Sequence, residues 1–312
     1  MKKVGWAMIM AMGLSAGPMS VAQEGPKECL NQAISTVNQH IRNHEILRDS
    51  DARNTFSSYI NCASLRKVLD TAFHEAVHGY TTNKRAYPLV AGGSRPTLED
   101  DKSVLRFFQP STLKSEFGNS HNISYLQVEY KRDEDTGKMV PVQSSANNFG
   151  ALLDEFNAYT NQLAFETSYR SGVTSSQTGL TSLMSFVAAY LRKAKETSPS
   201  VWRDLQSPEK RKTLQLLWNQ AESVLARACS AGLRFDEDPG QFYQKYLCDA
   251  QKMSGVGSLL NKASICPTAA CLGRPAPTEL AQNEVEDSSP AAPTKPAGGT
   301  FFWLPSVPPA NR

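Results

Sequence analysis

Residues Thr71-Ala-Phe-His-Glu-Ala-Val-His-Gly-Tyr80 place His74, Glu75 and His78 in the order His-Glu-x-x-His. On a helix, residues at i and i+4 lie one turn apart on the same face. Two imidazoles so placed can bind one Zn²⁺. A glutamate one residue after the first can serve as general base toward a water activated by the metal. The residue types and their spacing therefore point to metal-assisted hydrolysis.

The segment around these residues has the pattern needed to hold them. Leu65, Val68, Leu69, Ala72, Phe73, Ala76, Val77 and Tyr80 recur at i, i+3, i+4 and i+7. This predicts an amphipathic helix over about Ser57–His78, with the two histidines beside its buried stripe. Gly79 offers a place for its C-terminus. At these residues the chain resembles the zincin metallopeptidases.

A catalytic zinc usually takes a third protein ligand and leaves one position open. The metzincin continuation is absent, because Gly79-Tyr80-Thr81-Thr82-Asn83-Lys84 does not supply its Gly and His. Another His downstream of the motif is His121. A second helical stripe runs through Phe149, Leu152, Leu153, Phe156, Thr160 and Leu163, and Glu155 projects from it. Small Ala158 beside Glu155 leaves room for close approach. Asp154 and Glu166 are rival carboxylates. Asp154 is rotated by about 100° from Glu155 on a helix of ~3.6 residues per turn, so only one of the two is expected to face the metal.

Glu155 with Ala158 and Tyr159 is similar to the second-helix ligand motif of the Glu-type zincins, the gluzincins. In those families the residue four after the Glu is usually an Asp that orients a ligating His. Here that position is Tyr159, a phenol that is neutral at pH 7. The interval from His78 to Glu155 is far longer than in thermolysin-like enzymes. It is closer to that of gluzincins acting on prenylated or membrane proteins. The resemblance covers two short helices. It implies Zn²⁺ held by His74, His78 and Glu155, with Glu75 as general base and a peptide bond as substrate, cut by an endopeptidase. Tyr159, Tyr80 and His121 are the candidate donors to a developing oxyanion.

The fold class expected is α+β: a mainly helical, zincin-like domain with a small hairpin or sheet beside the zinc helix. A helix is predicted at Pro26–Leu47, carrying His40 and His44 at i, i+4 but without a following Glu. Residues 122–142 read as a hairpin with a turn at Asp133–Gly137. That hairpin is also a candidate edge for pairing with an extended peptide. Residues 171–178 read as a loop. Helices are predicted at Leu180–Lys195, Pro208–Ala231 and Asp238–Ala263.

Lys2 and Lys3, the apolar run Val4–Leu14 and Ser20-Val21-Ala22 read as a secretory signal over residues 1–22, with a mature start near Gln23. Export to a periplasmic or extracellular space follows. No later stretch is long or apolar enough to span a bilayer. The six cysteines then favour disulfides over metal thiolates. Proximity suggests Cys29–Cys62, Cys229–Cys248 and Cys266–Cys271. Residues 23–266 are read as the catalytic domain and 267–312, rich in Pro and Ala, as a disordered tail whose Phe301–Leu304 patch is a candidate partner contact. A net charge of +3, with scattered Lys and Arg, argues against nucleic acid. The partner expected is a protein or peptide substrate. Two other readings stand beside the peptidase. One is an exported binding or scaffold protein with a structural zinc site or none; the other directs the same zinc chemistry at amide bonds of cell-wall material.

Overall fold

The structure is a computed structural model that describes residues 26–98, 130–132, 136–141, 149–235, 243 and 246–262. It is mostly helical with small two-stranded sheets. In chain order the elements are α1 (Pro26–His40), α2 (Glu45–Arg48), α3 (Ser50–Tyr59), a 3₁₀ turn (Cys62–Ser64) and α4 (Leu65–Lys84). Next come β1 (Ala86–Pro88), β2 (Ser94–Pro96), β3 (Tyr130–Arg132), β4 (Met139–Pro141) and α5 (Phe149–Tyr169). Then follow β5 (Val173–Thr174), α6 (Ser175–Thr197), α7 (Pro199–Leu205), α8 (Pro208–Ser230), β6 (Arg234–Phe235) and α9 (Val256–Leu260). Every described residue belongs to a unit running from Met1 to Gly273.

Two apolar clusters share α5. Ala33, Val37, Ile46, Phe56, Leu69, Phe73 and Val77 bury α1–α4 against Ala158 and Phe165 of α5. Leu152, Leu153, Phe156 and Leu163 of α5 instead join a larger cluster with α6 to α9, centred on Phe186, Tyr190, Leu217 and Trp218. Each fully buried side chain of this size contributes roughly 1.5–3 kcal/mol relative to exposure. α5 therefore has apolar residues around most of its circumference. Helix α4 is more one-sided, so its polar residues are free to face the seam between them.

Polar ties fix α5 against α4 and against β1, which follows α4. Asn157 Nδ2 and Asn161 Nδ2 both donate to Pro88 O, at 3.0 and 3.2 Å. Tyr87 Oη donates to Gly150 O at 3.1 Å. Arg170 Nη2 meets Asp70 Oδ2 at 2.9 Å and donates to Arg66 O at 3.1 Å. These bonds clamp the helix pair at both ends.

Several boundaries differ from the sequence expectation. The span Pro26–Leu47 is not one helix. Asn43 Nδ2 donates to Leu89 O and Gly93 O at 2.8 and 3.1 Å, holding residues 41–44 against the β1–β2 turn. His40 thus ends α1 while His44 caps α2, and they do not share a helical face. The helix carrying His74 and His78 does not span Ser57–His78, because α3 stops at Tyr59 and α4 begins at Leu65. Nor does it end at Gly79. It continues to Lys84 and is turned by Arg85, whose φ of 48° is left-handed.

Gly79 serves packing instead. A Cβ there would lie 2.7 Å from Thr55 Oγ1 and 2.9 Å from Ala52 Cα, so its absence is what lets α3 reach α4. Residues 171–178 are not a loop. Val173–Thr174 pairs in parallel with Arg234–Phe235, and Thr174 Oγ1 accepts from Ser176 N at 3.1 Å to cap α6. The Ser- and Thr-rich start of α6 is buried because small side chains fit beside α5. The span Asp238–Ala263 is not continuous helix in its described part. Turns at residues 250–255 lead into α9, which is bracketed by left-handed Gly255 and Asn261. Tyr130–Arg132 does pair with Met139–Pro141 as a hairpin, with Lys131 opposite Val140. Residues 122–129 lie outside the described residues. A different sheet follows α4 directly and packs on it, β1 with β2.

Cys29 and Cys62 form a disulfide that ties α1 to the turn before α4. Cys229 and Cys248 are disulfide-bonded as well. The signal segment, His121, Cys266, Cys271 and the tail lie outside the described residues.

Candidate metal centre

Helix α4 carries His74, Glu75 and His78 and presents the two histidines to α5. The opposite side of the same turns, from Leu69 through Phe73 to Val77, is buried in the smaller core, which fixes the helix rotation. Helix α5 brings Asp154 and Glu155 to face them. His74 Nε2 lies 3.4 Å from Glu155 Oε2, and His78 Nε2 lies 3.5 Å from the same oxygen. The two Nε2 atoms are 3.1 Å apart. His74, His78 and Glu155 form a group that could hold a metal ion.

Asp154 takes a different part from the one expected. His78 Nδ1 donates to Asp154 Oδ2 at 2.7 Å. The rotation of Asp154 away from Glu155 is real, but it delivers the carboxylate to the outer nitrogen of His78. A carboxylate holding a histidine ring is the arrangement expected behind a metal ligand. Its source here precedes Glu155 by one residue rather than following it by four. Tyr159 instead packs against His74, with ring centroids 4.7 Å apart and planes near perpendicular. Its ring also lies against Gly179 of α6, where a Cβ would come within 2.3 Å of it.

The other sequence candidates are elsewhere. Glu166 is buried and accepts from Ser176 Oγ at 2.7 Å, Gln162 Nε2 at 3.0 Å and the Thr174 hydroxyl. It joins α5 to the start of α6. Tyr80 is 5% exposed within the smaller core.

The charge balance of the centre is acidic. Burial disfavours a charge on His78, but Asp154 and Glu155 override it and raise its pKa well above the ordinary histidine value. Burial likewise opposes ionisation of Glu155, yet His78 and His74 hold its carboxyl far below its usual range. Three polar atoms here are buried without a hydrogen-bond partner: His74 Nδ1, Asp154 Oδ1 and Glu155 Oε2. Unsatisfied buried polar atoms are uncommon and call for a complement. Two imidazole nitrogens converging on a carboxylate oxygen supply the donor set of a divalent transition metal.

Glu75 is half-buried on α4, one residue after His74, and its charge adds to burial in raising the phenol of Tyr59, the last residue of α3, above its ordinary 10. Tyr59 had no signal in the sequence. It comes under the influence of Glu75 through the packing of α3 on α4, which no local period encodes.

Comparison of the chain with protein-family models, with curated proteins and with solved structures finds no match.

Proposed function

We propose that this chain is an exported zinc-dependent peptidase of the gluzincin type. The observation that carries the reading is the triangle of His74 Nε2, His78 Nε2 and Glu155 Oε2, with sides of 3.1, 3.4 and 3.5 Å. Ligand atoms ~2.0–2.1 Å from a tetrahedral zinc sit about 3.3–3.4 Å apart. Ligands at the same distance around an octahedral magnesium would sit roughly 2.9 Å apart, and magnesium prefers oxygen donors. The donor set and spacing thus favour zinc, with a fourth position left for water or substrate.

Bound zinc would act as a Lewis acid toward the scissile carbonyl and bring the attacking water toward a pKa of ~7. The chain's own residues do the rest. Asp154 fixes the ring of His78, and the ring of Tyr159 confines that of His74. Glu75 takes the proton of the attacking water and passes it to the departing amine. Because its helix also carries both histidines, Glu75 is placed without a separate loop. Disulfides at Cys29, Cys62, Cys229 and Cys248 support an oxidising compartment and so export.

The test is metal analysis of protein purified from residue 23 onward, with digestion of an unfolded protein followed by mass spectrometry. One zinc per chain is expected, lost in His74→Ala and His78→Ala. Cleavage is expected in wild type and absent in Glu75→Gln, which should keep its zinc. A wild-type protein that takes up no zinc after exposure to it, or cleavage that survives in Glu75→Gln, would sink the reading.

A further inference from the structure

We propose that a cavity on the far side of α5 from the metal centre binds a small carboxylate with an apolar body. It lies between the turn at residues 41–44, α4, α5 and α8, and measures about 180 Å³. A cavity of about 150 Å³ is enough to hold benzene. Asn161, Ala164 and Ser168 turn one face of α5 to it. Glu155 lies ~180° around that helix from Ala164, at ~100° per residue. None of His74, Glu75, His78, Asp154 and Glu155 lines the cavity, so the inference is independent of the peptidase reading.

Ile41, Ile46, Phe73, Val90 and Phe165 give the cavity an apolar lining. Hydrogen bonds fix its walls. Asn43 holds the turn to the β1–β2 loop, Val90 N donates to Gln220 Oε1 of α8 at 3.1 Å, and Ser168 Oγ donates to His40 O at 3.1 Å. A cavity held in this way loses little freedom when a ligand enters. Arg42 and Arg227 also line it, from the turn and from α8. Both are exposed, and neither is in an ion pair among the described residues. No Asp or Glu lines the cavity among the described residues. An arginine can lay its stem on an apolar wall and keep its guanidinium in water. Two such groups beside an apolar cavity suit a carboxylate, whose oxygens match paired N–H donors. Asn43 is 2% exposed, and its Oδ1 is buried without a hydrogen-bond partner. An N–H beside the carboxylate, as at the end of a peptide, would answer that acceptor. The carboxylate can thus belong to a free acid or to a peptide terminus.

The experiment is an NMR titration of metal-free protein from residue 23 onward, so that no carboxylate binds at the metal centre. The probes are phenylacetate, neutral phenylacetamide, and a tetrapeptide ending in Phe with a free or an amidated terminus. Phenylacetate should bind with a Kd on the order of 1 mM or tighter, and phenylacetamide roughly ten-fold more weakly. Arg42→Ala and Arg227→Ala should each weaken phenylacetate about ten-fold and keep the thermal midpoint. Ala164→Leu fills the cavity and should abolish binding. Tighter binding of the free-acid peptide than of phenylacetate assigns the site to peptide termini; binding of phenylacetate but of neither peptide assigns it to free acids. No binding of any probe, equal binding of acid and amide, affinity indifferent to both arginines, or binding only when zinc is restored overturns the inference. Each of these results leaves the peptidase reading to its own zinc and Glu75→Gln tests.

Discussion

At the centre, the two histidines are not equivalent. His78 has a carboxylate on its outer nitrogen, while His74 Nδ1 is buried without a partner. In the proposed zinc site His78 would be the oriented ligand, with Asp154 orienting it. Asp154→Asn keeps the size but removes the charge that favours the donating ring nitrogen. It should weaken zinc affinity and turnover by about 10–100-fold, the usual cost of such a partner. Competition with a fluorescent chelator measures the affinity, and an unchanged dissociation constant would remove Asp154 from the site. Glu155→Ala should be more severe, because it deletes a ligand atom. The local part of this arrangement is readable from sequence, since i, i+4 spacing on an amphipathic helix needs no other information. The role of Asp154 is not. Which of two adjacent carboxylates faces which nitrogen depends on the rotation of α5 against α4, and that is set by packing on both sides of α5.

The same distinction runs through the elements. Helix α8 follows its expected span closely, because Pro208 opens it and an apolar stripe continues to Cys229. Helix α4 was legible as an element but not in its limits. A glycine after the second histidine has two readings, a cap or a close contact, and only the neighbour α3 decides between them. Gly79→Ala tests the contact. As a helix interior residue, Ala should be favoured by ~1 kcal/mol. The added Cβ would meet backbone at Ala52, 2.9 Å away, and overpacking of that kind costs typically 1–3 kcal/mol. The clash should win, so the variant should be less stable in urea despite its better propensity. A more stable Gly79→Ala protein would show that the approach is slack. The start of α6 was hidden for a related reason. Ser, Thr and Gly suggest a loop, yet beside an aromatic ring such as Tyr159 small residues are what a close helix contact requires.

Across the molecule, α5 is the shared wall of both cores and carries the centre near its start and Glu166 further along. Zinc would bridge α4 of the smaller core to this wall. Each ten-fold excess of free zinc over the dissociation constant should then add ~1.4 kcal/mol to stability. A chelator should lower the unfolding midpoint of wild type but not of His78→Ala. Glu166 tests the other part of α5. Burial raises its carboxyl above the ordinary 4.5, with Asp70 adding to the rise, although the hydroxyls of Thr174 and Ser176 and the Gln162 amide oppose it. A raised carboxyl means that the fold holds this proton more tightly than the unfolded chain does. The contribution is full below about 4.5, where both states are protonated. It is lost as pH rises through the folded pKa, because the unfolded chain has already released its proton. Glu166→Gln cannot ionise, so its unfolding free energy should decline less than that of wild type between pH 4.5 and 7. Urea unfolding of both proteins at those two pH values measures the difference, with zinc removed so that metal binding does not enter. Equal declines would mean that its pKa is the same folded and unfolded, so that its three donors offset burial and the charge of Asp70.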